Sequence, residues 1–306
     1  MIGYIGRRAL ALIPLLLIIS FIVFSLVLLL PGDPARAIAG GATADEATVQ
    51  AVREQLHLDE PFVRQYARWL GNVATGDLGE SWFEKRSVAS EIAARFPVTL
   101  SMVLGGVAVA LLIGVPLGII AGTRPGTIVD RLVTGVTSFG VAMPDFWLAI
   151  ILVSALAVNR SLLPSSGYVP FGDDPVEWAR HLVMPWIAIG VGGSATIARQ
   201  LRGALADELQ SDYARTARAK GVSNAAVVRR HALKNAAMPA VTVLGIQIAY
   251  ALGGTVIMEQ IFGIPGMGSY ALQALGNRDL PVIQGVVMLT AVIFLVMNLA
   301  VDVVYA

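Results

Sequence analysis

An all-α integral membrane protein with six membrane-spanning helices is the fold this sequence predicts, and three observations carry the prediction. Hydrophobic residues fill 56% of the 306 positions and charged residues 14%, with a mean hydropathy of +0.71, which leaves too little polar surface to cover a water-soluble particle. The apolar residues gather in six stretches, near the length of about 20 residues that crosses a hydrocarbon core. The charges fall between those stretches, with the basic ones biased to one side. Backbone crossing lipid must satisfy its own hydrogen bonds, so each stretch reads as a helix. The net charge of +1 points neither to nucleic acid nor to an acidic substrate. The absence of cysteine excludes disulfides, Cys-ligated metal centres and thiol catalysis.

The first stretch runs from about Ala9 to Leu30. Arg7-Arg8 before it and Ala35-Arg36-Ala37 after it imitate a signal peptide. Its apolar run exceeds the about 7–15 residues of a signal core, so residues 1–30 read as a retained anchor. The next 68 residues, 31–98, are longer than an ordinary connection and must carry structure of their own, as a partly helical extracytoplasmic insertion. Val49, Val52 and Leu56, then Phe62, Tyr66, Trp69 and Leu70, recur at helical spacing, which predicts two amphipathic helices parted near Asp59-Glu60-Pro61. Thr75 to Phe83 reads as a turn with an exposed aromatic tip. Gly79, Glu80, Ser81, Trp82, Phe83, Glu84, Lys85 and Arg86 form a candidate dock for an extracytoplasmic protein; a lid packed over the outer face is the alternative.

Five further spans follow in residues 99–306: Thr99 to Ala121, Leu132 to Val158, Leu182 to Ala198, Met238 to Met258 and Pro281 to Val304. The fourth span is short and carries Pro185, Gly190, Gly192, Gly193 and Ser194, a composition for close helix packing, so it is expected inside the bundle. Arg7, Arg8, Arg124, Arg131, Arg199, Arg202, Arg215, Arg218, Lys220, Arg229, Arg230 and Lys234 share one side with only Asp130, Asp207, Glu208 and Asp212. The opposite long segment mixes seven basic with ten acidic residues, and 159–181 adds Asp173, Asp174 and Glu177. The basic side is therefore expected in the cytoplasm, with both termini.

Segment 199–237 is the most patterned connection. Ala, Arg and Lys occur at helical density from Asp212 to Lys220, Gly221 supplies a left-handed stop, and a second helical run leads to Pro239. That is an ordered, charged surface against which a soluble partner can push; cations that merely mark the membrane rim are the plain alternative. No Gly-x-x-x-x-Gly-Lys-Ser/Thr loop is present, so the chain has no cradle for nucleotide phosphates. His57, His181 and His231 lie at no metal-ligand spacing, and no serine-histidine-acid set converges.

Ordered motifs give a specific resemblance. Leu30-Pro31-Gly32-Asp33-Pro34, Leu56-His57-Leu58-Asp59, Gly76-Asp77-Leu78-Gly79, Phe96-Pro97-Val98-Thr99-Leu100, Pro144 with Phe146-Trp147-Leu148-Ala149, the Asp212 to Pro239 block, Met258-Glu259-Gln260-Ile261-Phe262 and Pro265-Gly266-Met267-Gly268 run from end to end. The chain resembles the B-type permease subunit of an ATP-binding-cassette importer for dipeptides and oligopeptides, in the branch that includes nickel and glutathione importers. The resemblance implies the type I importer permease fold, a bacterial inner-membrane location and a non-catalytic transport role. It also implies a second related permease subunit, two ATPase subunits that bind ATP and Mg, and an extracytoplasmic binding protein.

In such importers the segment matching Asp212, Tyr213, Ala214, Arg215, Thr216, Ala217, Arg218, Ala219, Lys220 and Gly221 is the coupling helix on the ATPase. Ala217 and Ala219 then permit close approach, while Arg215, Arg218 and Lys220 pair with acidic groups. The chain departs from the general pattern by having Arg215-Thr216-Ala217 in place of Glu-Ala-Ala and a longer Gly221 to Pro239 spacing, so the surface rather than one salt bridge is carried over. Asp145 is the one firm intramembrane acid. It follows Pro144, which kinks the third span; Pro144, Asp145, Phe146 and Trp147 either line the pore and meet a peptide's ammonium, or Asp145 is a structural carboxylate paired with a neighbouring subunit. Glu259, with Phe262, Pro265 and Gly266, either closes an outer gate or sits in water. The chain's end at Val304-Tyr305-Ala306 comes sooner than such subunits usually end, the pattern expected of a truncated C-terminus. A proton-coupled carrier normally needs paired intramembrane acids or internal repeats, and neither is visible here. A bare membrane anchor leaves the 212–239 pattern without a purpose.

Overall fold

The computed structural model describes residues 2–29, 33–40, 43–55 and 57–305. Leu30-Pro31-Gly32 of the first motif, Leu56 of the first amphipathic helix and Ala306 lie outside the described residues. Among those described, the structure is helical apart from one isolated antiparallel bridge, Glu80 with Ser87. The chain divides into two compact units, Met1–Phe96 with Ser269–Leu295, and Pro97–Gly268 with Val296–Ala306.

In the first unit, helix α1 (Ile2–Ser25) passes into a 3-10 turn, Leu26–Leu29. Three helices of the insertion follow, α2 (Pro34–Ile38), α3 (Glu46–Gln55) and α4 (Phe62–Ala74), with the break before α4 at Asp59-Glu60-Pro61 as the periodicity predicts. The α4 stripe Phe62, Tyr66 and Trp69 closes on Phe21 and Phe24 of α1, with ring centroids 5.2–5.9 Å apart across the two helices. Such aromatic pairs add about 0.5–1.5 kcal/mol each beyond the area they bury. The Ser20 and Tyr66 hydroxyls, 2.8 Å apart, fix the register of the two helices. Arg36 with Glu46 and Arg53 with Asp33 tie α2 and its cap to α3.

Helix α5 (Val88–Gly122) begins eleven residues before the expected span, so the end of the predicted insertion is already helical. At 35 residues, or about 52 Å, it is longer than a bilayer core requires. In the second unit it is followed by α6 (Ile128–Ala142) and by α7 (Asp145–Leu152), which continues as a π-helical turn over Val153–Val158. Then come α8 (Pro175–Glu208), α9 (Asp212–Ala219), α10 (Asn224–Val227) with a π-helical turn at Val228–Ala232, and α11 (Leu233–Gly254). Helices α12 (Val256–Ile261), α13 (Met267–Asn277) and α14 (Leu280–Tyr305) complete the chain. Five of these helices are long and apolar enough to span a membrane, and six spans result when the bent pair α6 and α7 counts as one.

Helix α8 is the centre of the second unit and the most buried of the spans, as its small-residue composition predicts. Gly114, Gly118 and Gly122 of α5 lie one above another against Ser194, Ala198 and Arg202 of α8. A Cβ at Gly114 would stand 2.6 Å from the Ser194 carbonyl oxygen, so only glycine allows this backbone approach. Above this seam the Trp186 indole donates to the Ser101 carbonyl at 3.1 Å.

Two expected spans are corrected. The third is not a single kinked helix: its halves meet at 93° around Met143-Pro144. Proline cannot donate to the preceding turn and forces the residue before it out of the helical region, and Met143 is extended at ψ 120°. The fifth stops at Gly254, so Met258 belongs to the separate helix α12.

Candidate translocation site

The corner between α6 and α7 borders a concavity of the second unit. Pro144 precedes α7 in an extended conformation, and Asp145 opens the helix. The Asp145 carboxylate lies over Gly192 of α8, where an added Cβ would come within 2.7 Å of Oδ1. No group among the described residues donates a hydrogen bond to that carboxylate. It faces a cavity of about 440 Å³ that is also lined by Thr196, Gln247, Tyr250, Ile257 and Met258. Phe146 borders both this cavity and a second hollow of about 270 Å³, which Pro144 and Trp147 line with Phe139 and Ala142. The four residues singled out in the sequence are therefore divided between two surfaces. Gln247 and the Gly192-Gly193 pair were missed; a lone amide in an apolar span and a glycine pair in the most polar span were their signals.

Glu259 does not sit in water. It is 1% exposed and accepts from the Thr99 hydroxyl at 2.8 Å and the Thr255 hydroxyl at 3.2 Å. The turn from Phe262 to Gly266 folds back over it: Ile264 N–H donates to the Glu259 carbonyl at 2.9 Å, and Gly266 has no room for a Cβ beside Oε1. Met267 N–H donates to Thr99 Oγ1 at 2.9 Å, so one threonine bridges the carboxylate and the end of the turn. Phe262 is 1% exposed.

Helix α9 stands between α8 and α10 with Ala214 fully buried and Asp212, Arg215, Ala219 and Lys220 outward. Gly221, at φ +82°, provides the left-handed stop. Arg218 is exposed and also bonds within this segment: Nη1 donates to the Leu209 carbonyl at 2.9 Å and Nε to Asn224 Oδ1 at 3.1 Å. Ala217 is half-buried, which leaves Ala219 as the small outward residue. Tyr213 donates to Glu208, and burial followed by this bond pushes its hydroxyl above the ordinary tyrosine range.

In the first unit, the segment from Gly79 to Arg86 is a closed turn. Ser81 N–H donates to Arg86 O at 2.9 Å, and Val88 N–H to Gly79 O at 2.9 Å. Phe83 at its tip is 62% exposed. Asp279, which the sequence did not flag, holds the turn from beneath.

The family model described as binding-protein-dependent transport system inner membrane component matches residues 114–306, and its N-terminal companion matches residues 1–103. The chain belongs to this family. A peptide transport system permease protein of Brucella abortus (strain 2308) is 39% identical over 305 residues, covering 100% of this chain and 97% of the relative. The glutathione transport system permease protein GsiC of Escherichia coli (strain K12) is 40% identical over 306 residues, with 100% and 97% covered. A solved structure of the MetNI methionine ABC transporter in an inward-facing conformation superposes with a TM-score of 0.54 at 19% identity, over 70% of this chain and 94% of that one. The protein is thus a multi-pass ABC importer permease of the peptide/nickel branch with the type I fold, and its role is that of a transport subunit.

Proposed function

We propose that this permease forms half the pore of a bacterial inner-membrane importer that moves di- or oligopeptides by alternating access. A second related permease subunit supplies the other half. Two ATPase subunits dock at α9 and its partner counterpart, hold ATP and Mg, and drive the swap between inward-open and outward-open states. An extracytoplasmic binding protein delivers peptide at the 79–86 turn, and both termini lie in the cytoplasm.

The observation that carries this assignment is the Asp145 carboxylate, without a donor among the described residues and open to the cavity beside Gln247 and Thr196. An anion in an apolar, low-dielectric wall attracts a cation strongly, and a peptide brings an ammonium at its N-terminus with amides behind it for Gln247 and Thr196. The relatives named for peptide and glutathione transport fit the same chemistry, since glutathione is itself a small peptide with a free ammonium.

The test is uptake into proteoliposomes holding the complete transporter, with a free dipeptide, its N-acetylated form, and glutathione as competing substrates. Uptake that requires ATP and prefers the free ammonium supports the assignment, and Asp145→Asn is expected to narrow that preference by roughly fivefold or more, the size of a weak charge contact. Uptake that follows a proton gradient without ATPases overturns it.

A further inference from the structure

One ion pair in the second unit, a buried carboxylate held by a half-buried guanidinium, has no part in the cavity or in the outward face of α9. Asp130, at the third position of α6, is 3% exposed. Arg202 of α8 grips it with two bonds, Nε to Oδ1 at 2.5 Å and Nη2 to Oδ2 at 2.7 Å. Gly126 N–H donates to Oδ2 at 2.9 Å, and Thr134 Oγ1 lies 3.5 Å from Oδ1. Capping α6 does not by itself require Arg202, because Thr127 already accepts from the Asp130 N–H at 3.3 Å and Asp130 already caps Gly126. The guanidinium adds a planar, two-bond joint between helices that a point charge does not reproduce.

The position of this joint suggests its role. Arg202 lies six residues before the end of α8, and α9 is fastened to that end by Arg218 on the Leu209 carbonyl and by Tyr213 on Glu208. A push on α9 is therefore delivered to the segment of α8 that holds Asp130. Helix α6 has 15 residues and carries the motion about 22 Å to Met143-Pro144, where the chain turns into Asp145. Near its far end, Gly140 of α6 lies opposite Ala195 of α8, a contact that carries no hydrogen bond or charge to fix the register of the two helices. Without the charged joint, α8 can move past α6 and leave the Asp145 corner behind.

We propose that Asp130 and Arg202 are positioning residues that lock α6 to α8, so that displacement of the coupling segment reaches the Asp145 cavity, and that the joint stays closed through the transport cycle. This rests on the docking role given to α9. The complete transporter in proteoliposomes tests it, with uptake and ATP hydrolysis measured on the same sample. Arg202→Lys keeps the charge and loses the fork; uptake per ATP is expected to fall about fivefold or more, the low end of a coupling between sites, while assembly and hydrolysis persist.

The chain lacks cysteine, so the double variant Asp130→Cys with Arg202→Cys can be bridged by a short reducible thiol crosslinker. Bridging is expected to restore uptake per ATP, and reduction to abolish it again. Unchanged uptake per ATP in Arg202→Lys overturns the proposal, as does a bridged double variant that stays uncoupled or is locked. If wild-type uptake itself does not depend on ATP, the docking role of α9 fails instead.

Discussion

Ser81 donates its hydroxyl hydrogen to Oδ2 of Asp279 at 2.5 Å, joining residues 198 positions apart in the chain. The same carboxylate accepts from Trp82 N–H at 3.2 Å and Phe83 N–H at 3.4 Å, while Ser81 Oγ accepts from Glu84 N–H at 2.9 Å. One buried anion thus organises the whole turn that presents Phe83, because the successive backbone N–H groups converge on it.

Replacing Asp279 with Ala leaves these donors without an acceptor in a site that is 2% exposed. The cost is about 1–3 kcal/mol for the unsatisfied groups. Trypsin is expected to cut at Lys85-Arg86 faster in Asp279→Ala than in wild type, and stimulation of ATP hydrolysis by the binding protein to decline. Unchanged cleavage would show that the turn holds itself.

The α5–α8 seam predicts a sharp contrast among glycines. A Cβ at Gly118 would stand 2.9 Å from the Ala198 carbonyl oxygen, so Gly118→Ala must separate two backbones. A loss of about 1–3 kcal/mol is expected, typical of overpacking, visible as a lower unfolding temperature in detergent. Gly203 has nothing within 4 Å of its Cβ position; Gly203→Ala is expected to be neutral or stabilising by up to about 1 kcal/mol. Equal effects at the two positions would contradict the seam.

On α9, Arg215 and Arg218 are expected to behave differently. Arg215 is paired within its own helix only with Asp212, at 3.4 Å, and both side chains are exposed. Arg215→Ala should weaken co-purification of the ATPases and leave the thermal stability of the isolated subunit within about 0.5 kcal/mol. Arg218→Ala removes the bonds to Leu209 and Asn224, and should lower stability by about 1–2 kcal/mol. Calorimetry alongside affinity co-purification separates the two outcomes.

In the insertion, the Arg68 guanidinium bonds Glu60 at 2.6 and 2.7 Å and holds its carboxyl below the ordinary value of 4.5. A lowered folded value means the stabilisation is fully present above the unfolded value and is lost as pH falls through the folded one. Below pH 4.5 the packing of Trp69 should therefore weaken in wild type, and Glu60→Gln should flatten this dependence. Trp fluorescence during acid titration reads it; an identical slope in the variant would exclude Glu60 as the source.

Much of this was legible in the chain because lipid and water impose local rules. Apolar length marks spans, so α1, α5, α8, α11 and α14 fall where the hydropathy places them, with ends shifted where helices run past the bilayer. Period 3.6 marked α4, since Phe62, Tyr66 and Trp69 had to find an apolar partner. Gly221 and Pro144 act on their own neighbours through φ and a missing donor, so the stop after α9 and the break before α7 could be read directly. The size of that break could not, because the angle depends on what α7 packs against.

The sequence alone determined that the chain enters a membrane several times, how its helices begin and stop, and that a charged helix follows the fourth span, since each depends on neighbours within a few residues. Only the tertiary structure decided that Asp279 sits beneath Ser81, that Arg202 grips Asp130, and that Thr99 reaches the buried Glu259. These three pairings join residues 72 to 198 positions apart, and a buried charge finds its partner through packing that no local pattern encodes.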